Sequence, residues 1–231
     1  RGLFAVFGPP TEFPPLDVVT DARLANADEL PDGYGAGFWG TTPLADMPRY
    51  LDYLERRFES LGGRIQLEPV RSMTQAAALA PLIAHCTGFA ARELAADPSL
   101  TAVWGQHVVV ENPGVDTFFL QGPPGSGQWT GFLPHGDEVI MGGVAVEGRT
   151  DLTADPVVAA GIVERCAAVD PRLAEARVIE HRVGLRPARP TVRLELEQVG
   201  STRIVHNYGH GGGGVMLSWG TARRAAALLV G

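Results

Sequence analysis

Apolar residues recur three and four positions apart from Leu44 through Met47, Leu51, Leu54, Phe58 and Leu61, and Gly62-Gly63 ends the run. That spacing predicts an amphipathic helix. Pro48 suits its first turn, where a missing N–H leaves no hydrogen bond unmade. A short strand is expected over Arg64–Leu67, and the apolar run LIAHC from Leu82 to Cys86 predicts another, leading through Thr87-Gly88 into a helical FAARELAA. The opening GLFAVFG also reads as a strand. Strands alternating with helices are the grammar of an α/β protein.

From Val103 to Val146 the pattern changes to four short apolar runs, VWGQHVVVE, TFFL, WTGFL and EVIMGGVAV, separated by turns such as ENPG and LPHGD. These predict a mostly antiparallel sheet. Asp155-Pro156 then offers a cap and a proline for the first helical position, with Val158, Ile162, Cys166 and Val169 on one face of the helix that follows. The segment RVIEHRVGLRPARP, the strand pair VRLELE and TRIVHN, a glycine loop and a helix complete the chain.

With 231 residues and 45% hydrophobic content, the chain can bury a substantial core as one large domain or two intertwined small ones. A formal charge of −7 and a pI near 5.4 leave no basic footprint, so no nucleic-acid partner is expected. No run reaches the roughly twenty apolar residues a bilayer needs, and RGLFAVFGPPTEFPP lacks a secretory pattern. Cys86 and Cys166 form neither a disulfide framework nor a metal set, and are expected to pack as small hydrophobes. His206 and His210 are four apart but straddle the loop, which favours hydrogen bonding over a shared metal. A cytoplasmic protein without membrane association or metal is the expectation.

Gly209-His210-Gly211-Gly212-Gly213-Gly214 satisfies G-x-G-x-x-G between an expected strand and an expected helix. A self-contained dinucleotide unit also needs a following strand with an acidic residue about twenty positions on, and the chain ends first. What remains is a backbone that a ligand can approach closely, with N–H groups at a helix start that favour negative charge. The alternative is a flexible turn.

HNYGHGGGG followed by WGTA resembles the signature of the D-amino-acid oxidase family of flavoproteins. Gly184-Leu185-Arg186-Pro187-Ala188-Arg189-Pro190 is similar to that family's G-x-R-P-x-R-P segment, and Gly33-Tyr34-Gly35, Cys86-Thr87-Gly88 and Gly105-Gln106 are further matches in the family's order. The resemblance implies a mixed α/β fold in which an incomplete FAD-binding Rossmann-like domain is interleaved with a mostly antiparallel substrate domain. It divides the chain into 1–62 and 100–176 for the substrate domain and 63–99 and 177–231 for the FAD-binding domain. It implies FAD as cofactor, an amino acid or related amine as substrate, and O2 as oxidant. The family's pyrophosphate loop precedes the point at which this chain begins, so an N-terminal segment or a partner chain is expected to supply it; a homodimer is compatible with the pattern.

By the same resemblance Arg186 clamps the substrate carboxylate, and the Gly212 carbonyl accepts from the substrate amine. Gly211, Gly212, Gly214, Val215 and Met216 line the flavin ring, and Val70 and Thr87 contact the adenine half. Trp129 and Gly131 stand on the substrate wall, where the family usually has tyrosines, and Met216 replaces a threonine. Beside these roles stand plainer ones: a surface ion pair for Arg186 and sheet packing for Trp129. A non-catalytic or partner-dependent remnant of the fold is the rival to an enzyme.

Overall fold

The computed structural model describes residues 1–8, 16–121 and 127–231; residues 9–15 of the proline-rich opening and 122–126, ahead of the WTGFL run, lie outside them. The chain forms two units. The first comprises Arg1–Ile65, Gln106–Ala145 and Thr153–Val183. Its elements are β1 (Gly2–Val6), β2 (Thr20–Leu24), β3 (Ala36–Thr41), α1 (Met47–Ser60), most of β5 (Thr101–Glu111), β6 (Phe118–Gln121), β7 (Gln128–His135), β8 (Glu138–Val144), α4 (Pro156–Val169) and the start of β10 (Val178–Val199). The strand order β2-β3-β1-β6-β7-β8-β5 is antiparallel at each recorded pairing except β1 with β6, which run parallel.

One face of this sheet meets α4. The Asp155 carboxylate accepts from the N–H groups of Val157 and Val158 and starts the helix, with Pro156 in the first position. Ile162 and Cys166 are fully buried in a cluster with Val108, Val110, Phe119, Phe132 and Met141. Each large side chain sealed there contributes about 1.5–3 kcal/mol. Gln106, itself buried, pins the helix start: its Oε1 accepts from Asp155 N at 2.8 Å and its Nε2 donates to Asp155 O at 3.1 Å.

Two expectations are corrected. Arg64–Leu67 is not a strand, and it forms the link by which the chain passes between units at Ile65/Gln66. The expected helix is present as α1, yet none of its residues is buried, and Leu51, Phe58 and Leu61 of its stripe stay exposed because nothing among the described residues covers them.

The second unit comprises Gln66–Gly105, Val146–Leu152 and Gly184–Gly231. It holds α2 (Met73–Ala77), β4 (Leu82–His85), α3 (Ala91–Leu94), the start of β5, the short β9 (Val146–Glu147), the rest of β10, β11 (Thr202–His210) and α5 (Gly214–Val230). Strands follow the order β5-β10-β11-β4, with β9 also on β5. β10 and β11 are antiparallel, whereas β11 and β4 are parallel, with His206 opposite His85. Tyr208 packs with Ala91 and Leu100 in the core, and Trp104 is buried beneath the Arg149 guanidinium, 4.0 Å from its ring. Among the described residues no helix is long and apolar enough to cross a membrane.

Candidate functional site

Because β4 and β11 are parallel neighbours, their carboxyl ends open on the same edge of the second unit, the usual place for a ligand in such sheets. Thr87 follows one strand end and the glycine loop follows the other. Gly211 has φ of 54°, a conformation that side chains resist, and Gly211–Gly213 make one tight turn before α5 begins at Gly214. The first N–H groups of a helix have no partner within it, so the loop brings donors and a close backbone surface to one place. Val215 and Met216, in the first turn of α5, are exposed. Val70 lies in irregular chain ahead of α2.

Arg186 comes to this loop from β10. Its Cδ would stand 3.8 Å from a Cβ placed on Gly212, and its guanidinium lies where a side chain on Gly105 would be, so the glycine of β5 leaves Arg186 its seat. Burial pushes the Arg186 pKa down from its ordinary value. The structure thus brings together Arg186 and Gly212, which lie 26 positions apart in sequence, and explains the glycine of the Gly105-Gln106 pair.

Two polar clusters behind the loop escaped sequence reasoning. Arg189, the second arginine of the RPxRP segment, donates from Nε to Asp97 at 2.8 Å, and the Tyr208 hydroxyl donates to the same carboxylate at 2.9 Å while accepting from Arg193. Hydrogen bonds from Ser99, then those from Tyr208 and Arg189, hold the Asp97 pKa down at about 2 against the cost of burial. His85 and His206 meet through their Nδ1 atoms at 2.9 Å; the other ring nitrogens reach the Thr87 hydroxyl and the Glu197 carboxylate. Burial, then the charges of His206 and Arg193, push His85 down to about 4, so it is neutral near pH 7. His206 takes the hydrogen-bonding role expected of it, and His210 Nε2 is buried without a partner among the described residues. No metal-binding group occurs among those residues. Cys166 is buried as expected, but Cys86 is exposed: it follows the last residue of β4, at the open strand end.

Trp129 and Gly131 belong to the first unit, on β7. A Cβ on Gly131 would lie 3.0 Å from the Leu120 side chain, so the space a larger residue would fill there is partly taken from β6. The Trp129 ring covers Gly143 of β8.

The sequence model of the FAD dependent oxidoreductase family, abbreviated DAO, matches residues 11–228. The chain belongs to that family. It is 46% identical over 213 residues to a D-amino-acid oxidase of Rubrobacter xylanophilus, an alignment that covers 92% of this chain and 65% of that protein. It is 35% identical over 228 residues to the human D-aspartate oxidase, covering 95% of this chain and 66% of the human protein. The chain therefore spans about two thirds of the length of these relatives. In fold it is similar to glycine oxidase of Bacillus cereus, with a TM-score of 0.71 at 17% identity over 90% of this chain and 65% of the other.

Proposed function

We propose that this DAO-family chain is the substrate-binding and flavin-facing part of an FAD-dependent oxidase that deaminates a D-amino acid or related amine. The observation that carries the reading is the seating of Arg186 on Gly105 and against Gly212, which sets a planar cation beside a glycine loop and a helix start. The residues fit a flavin: Gly211, Gly212 and Gly214 leave the backbone open to a flat ring, exposed Val215 and Met216 offer apolar contact, and Thr87 stands on the neighbouring strand end. Val70 is assigned to the adenine side with Thr87.

FAD, when bound, supplies the two-electron acceptor for the hydrogen on the substrate α-carbon, with O2 as terminal oxidant and hydrogen peroxide as product. The protein residues do the positioning. Arg186 holds the carboxylate through two parallel hydrogen bonds, and partial burial strengthens them. The Gly212 carbonyl accepts one amine N–H and so turns the nitrogen lone pair toward the α-carbon, where the imine double bond forms. N–H groups at the start of α5 favour the negative charge that accumulates at their end of the site. Trp129 and Gly131 are assigned to the substrate wall.

Replacing Arg186 by Leu in the flavin-loaded full-length protein is expected to leave the yellow colour and lower kcat/KM for a D-amino acid by about 2–5 kcal/mol of transition-state binding. Unchanged kcat/KM in a variant that keeps its flavin overturns the assignment, and a full-length protein that binds no FAD overturns the whole reading.

A further inference from the structure

The first unit carries a cavity of about 290 Å³, lined by Phe7, Asp32, Tyr34, Thr130, Arg165 and Val169 among others. It lies on the α4 face of the sheet. Thr130 and Phe132 of β7 are buried, and Phe132 packs in the cluster with Ile162 and Cys166, whereas Gly131 between them faces Leu120 on the other side. Successive residues of a strand point to opposite faces. The cavity and Gly131 of the proposed substrate wall are therefore on opposite faces of β7.

Arg165 is the cation of this cavity. Its Nη1 donates to Gln128 Oε1 at 3.2 Å, while Nε and Nη2 are shielded from solvent and have no partner among the described residues. Those two atoms form the side-on edge of a guanidinium, the pair that matches both oxygens of a carboxylate. Buried donors left unmatched cost free energy, and more so when they carry charge. Around them stand neutral groups: the Gln121 amide, which accepts from Thr130 N at 3.0 Å and from the Tyr34 hydroxyl at 3.5 Å, and the Phe7 ring stacked on Tyr34 with centroids 4.5 Å apart. Asp32 adds a negative charge to the lining. One cation, one carboxylate and apolar walls disfavour a dianion and suit a small organic monoacid.

We infer that Arg165 and the cavity beside it form a second binding site, for a small monocarboxylate, on the sheet face opposite Gly131. The site stands apart from the assigned role of Arg186, and the test separates the two. The probe is isobutyrate, titrated calorimetrically into flavin-loaded full-length protein carrying Arg186→Leu, with inorganic phosphate and succinate as comparison anions. The expected result is one site, with Kd in the millimolar range that a single charge-assisted fork and a few apolar contacts support, on the order of 4 kcal/mol. Adding Arg165→Met should weaken it at least tenfold, and Arg165→Lys, which keeps the charge and loses the fork, nearly as much. Ala168 also lines the cavity, and Ala168→Leu should do the same by crowding it with the guanidinium intact. Absence of isobutyrate binding, binding that ignores both Arg165→Met and Ala168→Leu, or a preference for phosphate or succinate would each overturn the inference. Two isobutyrate sites in the Arg186→Leu protein, one of them lost with Arg165→Met, would support it and count against Arg186 as the substrate clamp.

Discussion

At Gly105 a single missing methyl group sets the position of the residue on which the proposed chemistry depends. An alanine there would overlap the end of the Arg186 side chain, which is flexible and can swing aside, whereas the backbone of β5 need not move. Gly105→Ala is therefore expected to leave the melting temperature within a degree or two and to raise KM for an amino-acid substrate about tenfold or more. Displacing a bidentate contact by an ångström is costly in a site that works by alignment. Thermal unfolding and steady-state kinetics on the full-length flavoprotein check this, and an unchanged KM would mean that Arg186 does not touch the substrate from its present seat.

Among the elements, α4 shows which kinds of information a linear pattern carries. Its start at Asp155-Pro156 and its buried stripe of Val158, Ile162, Cys166 and Val169 were legible, because capping and a 3.6-residue period are local properties. The amide that fixes its first residue was not, since Gln106 lies 49 positions earlier and its match to the family pattern does not name the partner. The glycine loop and Arg186 were readable through their motifs. The His85–His206 pair, the Arg189–Asp97 contact and the Arg165 cavity join residues distant in sequence, and no periodicity reports such pairs. Over Arg64–Leu67 the alternation of polar and apolar residues was genuine, but a strand needs a neighbour to bond with. Gln106→Leu should destabilise the chain by about 1–3 kcal/mol by removing the two hydrogen bonds its amide makes to the Asp155 backbone. Asp155→Ala, which removes a cap, should cost about 0.5–2 kcal/mol. Urea unfolding of the two variants against the parent measures both, and a Gln106→Leu protein as stable as the parent would show that the amide only fills space.

For the whole molecule, the buried polar clusters of the second unit imply a one-sided response to acid. His85 titrates near 4 when folded and near 6.5 when free, so the unfolded chain binds more protons between those values and stability falls as pH is lowered through that window. His206, Arg193, Glu197 and Thr87 are the groups around it. Asp97, near 2 when folded and near 3.8 when free, holds its contribution above that range and loses it between about 4 and 2. Both effects have the same sign, so urea midpoints should decline in two stages from pH 6.5 downward. The first stage should be on the order of 1–2 kcal/mol after solvent screening. His85→Gln should flatten the upper stage and Asp97→Asn the lower. A midpoint that holds steady between pH 6.5 and 4 in the parent protein would show that His85 accepts a proton in the folded state without penalty.

The pairing of β4 with β11 also orders events in time. β10 and β11 are joined by a two-residue turn at Gly200-Ser201, whereas His85 and His206 are 121 positions apart. Closing a chain loop of that length costs more entropy than closing a hairpin, and contacts between distant segments form late. The hairpin that carries Arg186 and leads into the glycine loop can thus assemble early, while the edge strand that brings Thr87 joins it afterwards. A newly made chain would thus set the proposed carboxylate clamp before the proposed contact of Thr87 with the nucleotide half of the cofactor.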